Sequence, residues 1–263
     1  MTKTIDSNVL QANENMIALG DIQSGDRIIE KNIENMNTVF STNNYYIGLS
    51  QQQYNQLVQD ILSQVKCLLE ERGKENIVIP NRDVFISAMQ SLVIKFERDD
   101  IKKMFINLLV NSMDKSTKEN VHPSYVDILK NMDSLDALLF KKLIEKREKY
   151  IKAIKPNIFI NETNRILLNV LPEWYTDVKI PGYDMFQLST HLVNLDRLGI
   201  ITLMFDRTAG DEKEYKILEQ SDELLGVLNN SRRLHEDITL KLGSTACVIC
   251  ISDYGQELAR ICL

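Results

Sequence analysis

Two groupings in the sequence could do chemistry: His122-Pro123-Ser124-Tyr125, and the Cys-x-x-Cys of Cys247 and Cys250. A histidine beside a proline near a helix start can be a general base, a metal ligand or a clamp on the turn. The clamp is the expectation here, with the imidazole bonding a nearby backbone carbonyl. The cysteine pair has zinc-site spacing, but the run "CVIC" is apolar and strand-like. Side chains alternate faces along a strand, so residues three apart cannot grip one ion. No second Cys or His pair has matching spacing, so no metal and no cofactor is predicted. No Gly-x-Ser-x-Gly elbow occurs, and "GDIQSGD" lacks the strand and the Lys-Ser/Thr ending of a phosphate loop. Of the other two histidines, His191 falls on a presumed core helix and His235 follows a polar run. The expectation is a protein that is not an enzyme; a site around His122 is the competing view.

The elements that must position these residues read mainly as helices. Glycine and proline number only 10 and 5 in 263 residues, which disfavours a turn-rich all-β architecture. Residues 1–45 read as a polar tail followed by a helix carrying Ile29, Ile33, Met36 and Phe40. Residues 46–156 read as an α-helical domain. Ser50 caps its first helix, with Tyr54, Leu57, Ile61, Val65 and Leu68 on one stripe and Gly73 past its end. Asn81 caps the next, whose apolar face is Phe85, Met89 and Leu92. Asp99 or Asp100 caps a third, striped by Ile101, Met104, Phe105, Leu108 and Leu109. Proline is welcome in a first helical turn and pushes its predecessor out of helical geometry. His122 should therefore lie just outside a helix bearing Tyr125, Ile128, Leu129 and Met132. Asp133 or Ser134 caps a further helix running to about Ile154.

Residues 157–263 change texture. A helix is predicted in "ETNRILLNVLP" and another over "DMFQLSTHLVNLDRLG", ended by Gly199. "IITLMF", "EYKILEQ" and "ACVICIS" are strand candidates, and Ser252 caps a closing helix. Helix, helix, three strands and a helix suggest a small α+β, winged-helix-like domain, so the fold class is mainly α. Such modules often read DNA, but this segment holds 16 acidic and 10 basic residues. Phosphate contacts supply most non-specific affinity, which makes this a poor DNA surface. The only low-ranked candidates for nucleic-acid contact are Arg197 and a loop tip at Arg232-Arg233.

The block "IPNRDVFISAMQSL" through "LLVNSMDKSTKENVHPSYVDILKNMDSLDALLF", with the ending "ISDYGQELARIC", resembles the abortive-infection alpha family. The likeness covers about residues 50–263, and Ser-Asp-Tyr-Gly stands where Thr-Pro-Phe-Gly is more usual. The resemblance implies bacterial or phage-borne antiviral defence and brings no catalytic residues, leaving His122, Pro123, Ser124 and Tyr125 as a signature of unknown role. The amino terminus lacks a signal pattern, and no run approaches a membrane span. The expected protein is cytoplasmic with its four cysteines reduced, and it acts through contacts with another protein, phage-encoded or a second copy of itself. A winged-helix DNA-binding regulator is the alternative.

Overall fold

The structure, a computed structural model, describes residues 50–167 and 170–263. The tail and helix read over residues 1–45 lie outside the described residues. The remainder is mainly helical with one four-stranded antiparallel sheet. The described residues divide into two compact units, one of residues 50–131 with Ile261–Leu263 and one of Met132–Arg260.

In the first unit, α1 (Gln51–Glu71) starts at a reciprocal capping box between Ser50 and Gln53, and Gly73 follows its end at a φ of 100°. Its buried stripe is Tyr54, Val58, Ile61, Val65 and Leu69, so the predicted Leu57 and Leu68 lie beside the stripe instead. Helix α2 (Arg82–Ile94) is capped by Asn81, with Phe85, Met89 and Leu92 buried as read. Helix α3 (Asp99–Ser112) buries its whole predicted stripe and also Ile106, Val110, Asn111 and Ser112. The expected aspartate cap is corrected: Arg98 is the cap residue, without a side-chain bond. Asp99 and Asp100 lie in the first turn, where the helix dipole favours carboxylates. Helix α4 (Ser124–Asn131) begins just after Pro123 and buries Tyr125, Val126, Ile128 and Leu129.

The second unit opens with α5 (Ser134–Glu145), capped by Asp133 in a box with Asp136. The helix stops nine residues before the expected Ile154. Arg147 takes a φ of 55°, and strand β1 (Tyr150–Ile160) follows. Eleven consecutive pairings with β4 (Leu240–Ile251) outweigh the helical look of "EKYIKAI". Pro156 therefore lies inside a strand and not at a boundary. Ile154 exchanges both backbone bonds with Tyr175 on the side away from β4, so Pro156, two along, turns its missing donor to that same open side.

Where a helix was read in "ETNRILL", β2 (Arg165–Leu167) folds back on β1 through a turn with Asn164 at a φ of 54°. Helix α6 (Met185–Arg197) and β3 (Ile201–Met204) match expectation, with Gly199 at a φ of 74° between them. "EYKILEQ" is a helix, α7 (Glu212–Glu219), capped by Asp211; it buries Tyr215 and Leu218, a helical and not a strand spacing. Helix α8 (Asp222–Leu234) takes in the arginines read as a loop tip. The sheet order is β2-β1-β4-β3. One face is covered by Tyr215, Leu218, Leu224 and Leu228 of α7 and α8.

Helix α9 (Asp253–Cys262) explains the closing motif. The Ser252 hydroxyl donates to the Gly199 carbonyl and accepts from the Gly255 amide. A Cβ at Gly255 would lie 2.0 Å from the Ile200 carbonyl oxygen, so only glycine permits this approach.

Candidate functional site

His122 is exposed, and its Nδ1 accepts from the Ser124 amide at 3.2 Å and lies in contact with the Ser124 hydroxyl. Its carbonyl accepts from the Tyr125 amide, and the imidazole and Tyr125 rings are 6.1 Å apart. Pro123 supplies the next carbonyl, to Val126. The four signature residues thus form one capping turn in which the histidine ring satisfies a first-turn donor of α4. His122→Asn retains an acceptor there and His122→Ala does not. Stability should fall in the order wild type, Asn, Ala, with about 1 kcal/mol between wild type and Ala in a denaturant melt. Equal melts for all three would detach the imidazole from the cap.

Just upstream, the polar end of α3 builds a buried network. Arg72 donates to Asn111 Oδ1 at 2.9 Å and to Asp114 at 3.1 Å. The Ser116 amide and hydroxyl donate to Asp114 Oδ1. Burial alone would raise the Asp114 carboxyl, but the Ser116 and Arg72 bonds outweigh it and hold it below the ordinary aspartate value. Asn111 and Asn107 donate their carboxamides to the Ile261 and Cys262 carbonyls, satisfying acceptors at the end of α9. Sequence reading passed over this network. Its signal was three polar residues, Asn111, Ser112 and Asp114, in an otherwise apolar register.

The third cluster joins α5 to α6. Asp136, 2% exposed, accepts from His191 Nδ1 at 2.7 Å, Asn194 Nδ2 at 2.8 Å and the Asp133 amide at 2.9 Å. Arg197, a candidate nucleic-acid contact, donates instead to Asn194 Oδ1 from two guanidinium nitrogens. Asp133, Asp136 and His191 offer three potential metal donors within 4.8 Å of one another. Their oxygens already accept from each other's amides and from His191, so the cluster completes itself. The role it performs is to lock α6 against α5.

These three clusters fall on the stretches "LLVNSMD", "VHPSYVD" and "DSLDALL", and a family model described as abortive infection alpha matches residues 49–262. The chain belongs to the abortive infection alpha family. Abortive-infection-type defence is thus its family-level role. Neither the curated proteins nor the solved structures yield a match. The family's signature residues read here as caps and buried polar joints, each with a named backbone or side-chain partner.

The other predicted residues separate. Arg232 donates from two nitrogens to the Leu240 carbonyl, tying α8 to β4, and Arg233 bonds Asn230. His235 ends α8. Cys247 and Cys250 are buried on opposite faces of β4, as strand alternation requires, and burial pushes the Cys247 thiol up. All four cysteines are free thiols. No described helix is long and apolar enough to cross a membrane. A cleft of about 340 Å³ is lined by Ile144, Arg147, Glu148, Lys149, Ile251 and Gln256, so none of the histidines is among its described lining.

Proposed function

We propose that the protein serves abortive-infection defence in the cytoplasm through contact with another protein rather than through catalysis, with Met132–Arg260 as a winged-helix-like module. The support for the module is topological. Helix α6 leads straight into β3, β3 pairs with β4, and β1 lies on β4's other side. In place of a wing loop between β3 and β4 stand α7 and α8.

The observation that carries the protein-contact reading is the outer face of α6. Phe186 and Val193 are each 43% exposed, about two helical turns apart on one face, with exposed Thr190 between them. In a DNA reader this face would present cations to phosphates. Here Arg197 is held by Asn194, and Asp184 and Asp196 stand at the helix's two ends. An apolar surface without acidic crowding is the partner that such a face fits.

The test is the double substitution Phe186→Glu, Val193→Glu, assayed for protection of host cells against phage and by thermal melt. Exposed changes of this kind alter stability by about 0.5 kcal/mol at most, so folding should persist while protection is lost. Full protection by the double variant would sink the reading. Salt-sensitive binding to random duplex DNA, abolished by Arg197→Ala, would replace it with the DNA-binding one.

A further inference from the structure

The backbone of β4 is used unevenly. The Asn161 amide bonds Thr239 and the Ile251 amide bonds Lys149, so odd-numbered residues of this strand turn their N–H and C=O toward β1. Even-numbered ones turn outward, as the Ser252 amide to Ile200 and the Arg232 bonds to the Leu240 carbonyl also show. Strand β3 reaches only from Ile251 to Val248. Leu242, Ser244 and Ala246 therefore direct outward three amides and three carbonyls that no described group takes.

We propose that this edge, Lys241 to Cys247, seats an extended peptide segment of a partner protein by strand addition. Backbone pairing would give the affinity, and alternate side chains the selectivity. The slot has defined ends. Met204 pairs with Val248 at one, and the Arg232 guanidinium occupies the Leu240 carbonyl at the other. Seven residues at roughly 3.3 Å each give about 23 Å of edge.

The chain's own continuation does not fill it. In β3's register, residues 205–210 would run along the slot, but the Ala209 amide donates to the Tyr215 hydroxyl and Gly210 lies against the Lys152 side chain. Leu242 and Ala246 pack toward α7 and α8, and the Ser244 hydroxyl donates to Glu219 at 2.6 Å. On the opposite face Lys241 is exposed and makes no ion pair with a described residue. The seated strand is thus apolar on the side of α7 and acidic on the other. This surface is separate from the outer face of α6, and the proposal stands or falls without it.

The test begins with amide hydrogen exchange on the full chain. In the free protein the amides of Leu242, Ser244 and Ala246 should exchange fast, while those of Lys241, Gly243 and Thr245 are protected. Protection of the even-numbered amides at low protein concentration would overturn the proposal. Protection that appears only as concentration rises would also overturn it, in favour of a second copy pairing there.

Next, a displayed library of random nonapeptides is selected on the full chain, and the enriched peptides are synthesised. Binding should slow the three open amides. It should weaken by about tenfold in Ser244→Pro, which removes an outward donor, and stay near wild type in Ser244→Ala. Methylating alternate backbone nitrogens of the peptide should abolish binding without altering the protein at all, so the test survives a Ser244→Pro chain that fails to fold. Enriched peptides that tolerate both methylation patterns, or a library that yields no binders, would overturn the proposal.

Discussion

Leu108→Ala is expected to lower stability by about 2–5 kcal/mol, the range for large-to-small changes in a core. Leu108 is fully buried at the centre of α3, whose neighbours Met104, Phe105 and Leu109 are buried with it. Asn111 and Ser112 beyond it are also buried, and a close-packed interior collapses only partly around a cavity. Leu108→Met, close to the same volume, should cost less than about 1.5 kcal/mol. A denaturant melt of Leu108→Ala that overlays the wild type would remove α3 from the core of its unit.

The first unit was legible because its helices announce themselves twice, by apolar spacing and by caps. Ser50 and Asn81 occupy the expected cap positions, and the Phe85 and Leu108 faces are buried as expected. The second unit hid its strands. "KYIKAIKPNIFI" offers isoleucines at both strand and helix spacings, and the choice is made by β4, some ninety residues later. No local pattern holds that information. The reverse error at "EYKILEQ" has the same origin. Tyr215 and Leu218 are three apart and pack on Ile154 from a helix, although β-branched and aromatic content suggested a strand.

The candidate site was legible only as punctuation. Pro123 marks the start of α4, and His122 bonds the backbone of that turn, though by accepting from the Ser124 amide where a bond to a carbonyl was expected. His191 reads from the sequence as a packed or rim residue of a core helix, and its bond to Asp136, fifty-five residues away, has no local sign. Polar joints of this kind leave one sign in a single sequence, a charged residue at a position the apolar register assigns to the core. Asp136, between Leu135 and Ala137, is such a residue, and so is Asp114 after Met113.

Asp136→Ala is the other large effect expected, about 3–5 kcal/mol, as when one partner of a buried polar pair is removed. The substitution leaves the Asp133 amide, the Asn194 carboxamide and His191 without their acceptor, and removes half of the α5 capping box. Asp136→Asn should be milder, about 1 kcal/mol, for a reason that can be measured separately. A carboxylate only accepts, so the wild-type imidazole must carry a proton on Nδ1. The asparagine oxygen can still serve Asp133 and Asn194, but its amine then faces Nδ1. His191 relieves that clash by moving its proton to Nε2, which frees Nδ1 to accept. Nitrogen-15 spectra should therefore report Nδ1–H in the wild type and Nε2–H in Asp136→Asn, alongside a small loss in the melt. A wild-type ring protonated on Nε2 alone, or an Asp136→Ala chain that melts with the wild type, would dissolve the joint between α5 and α6.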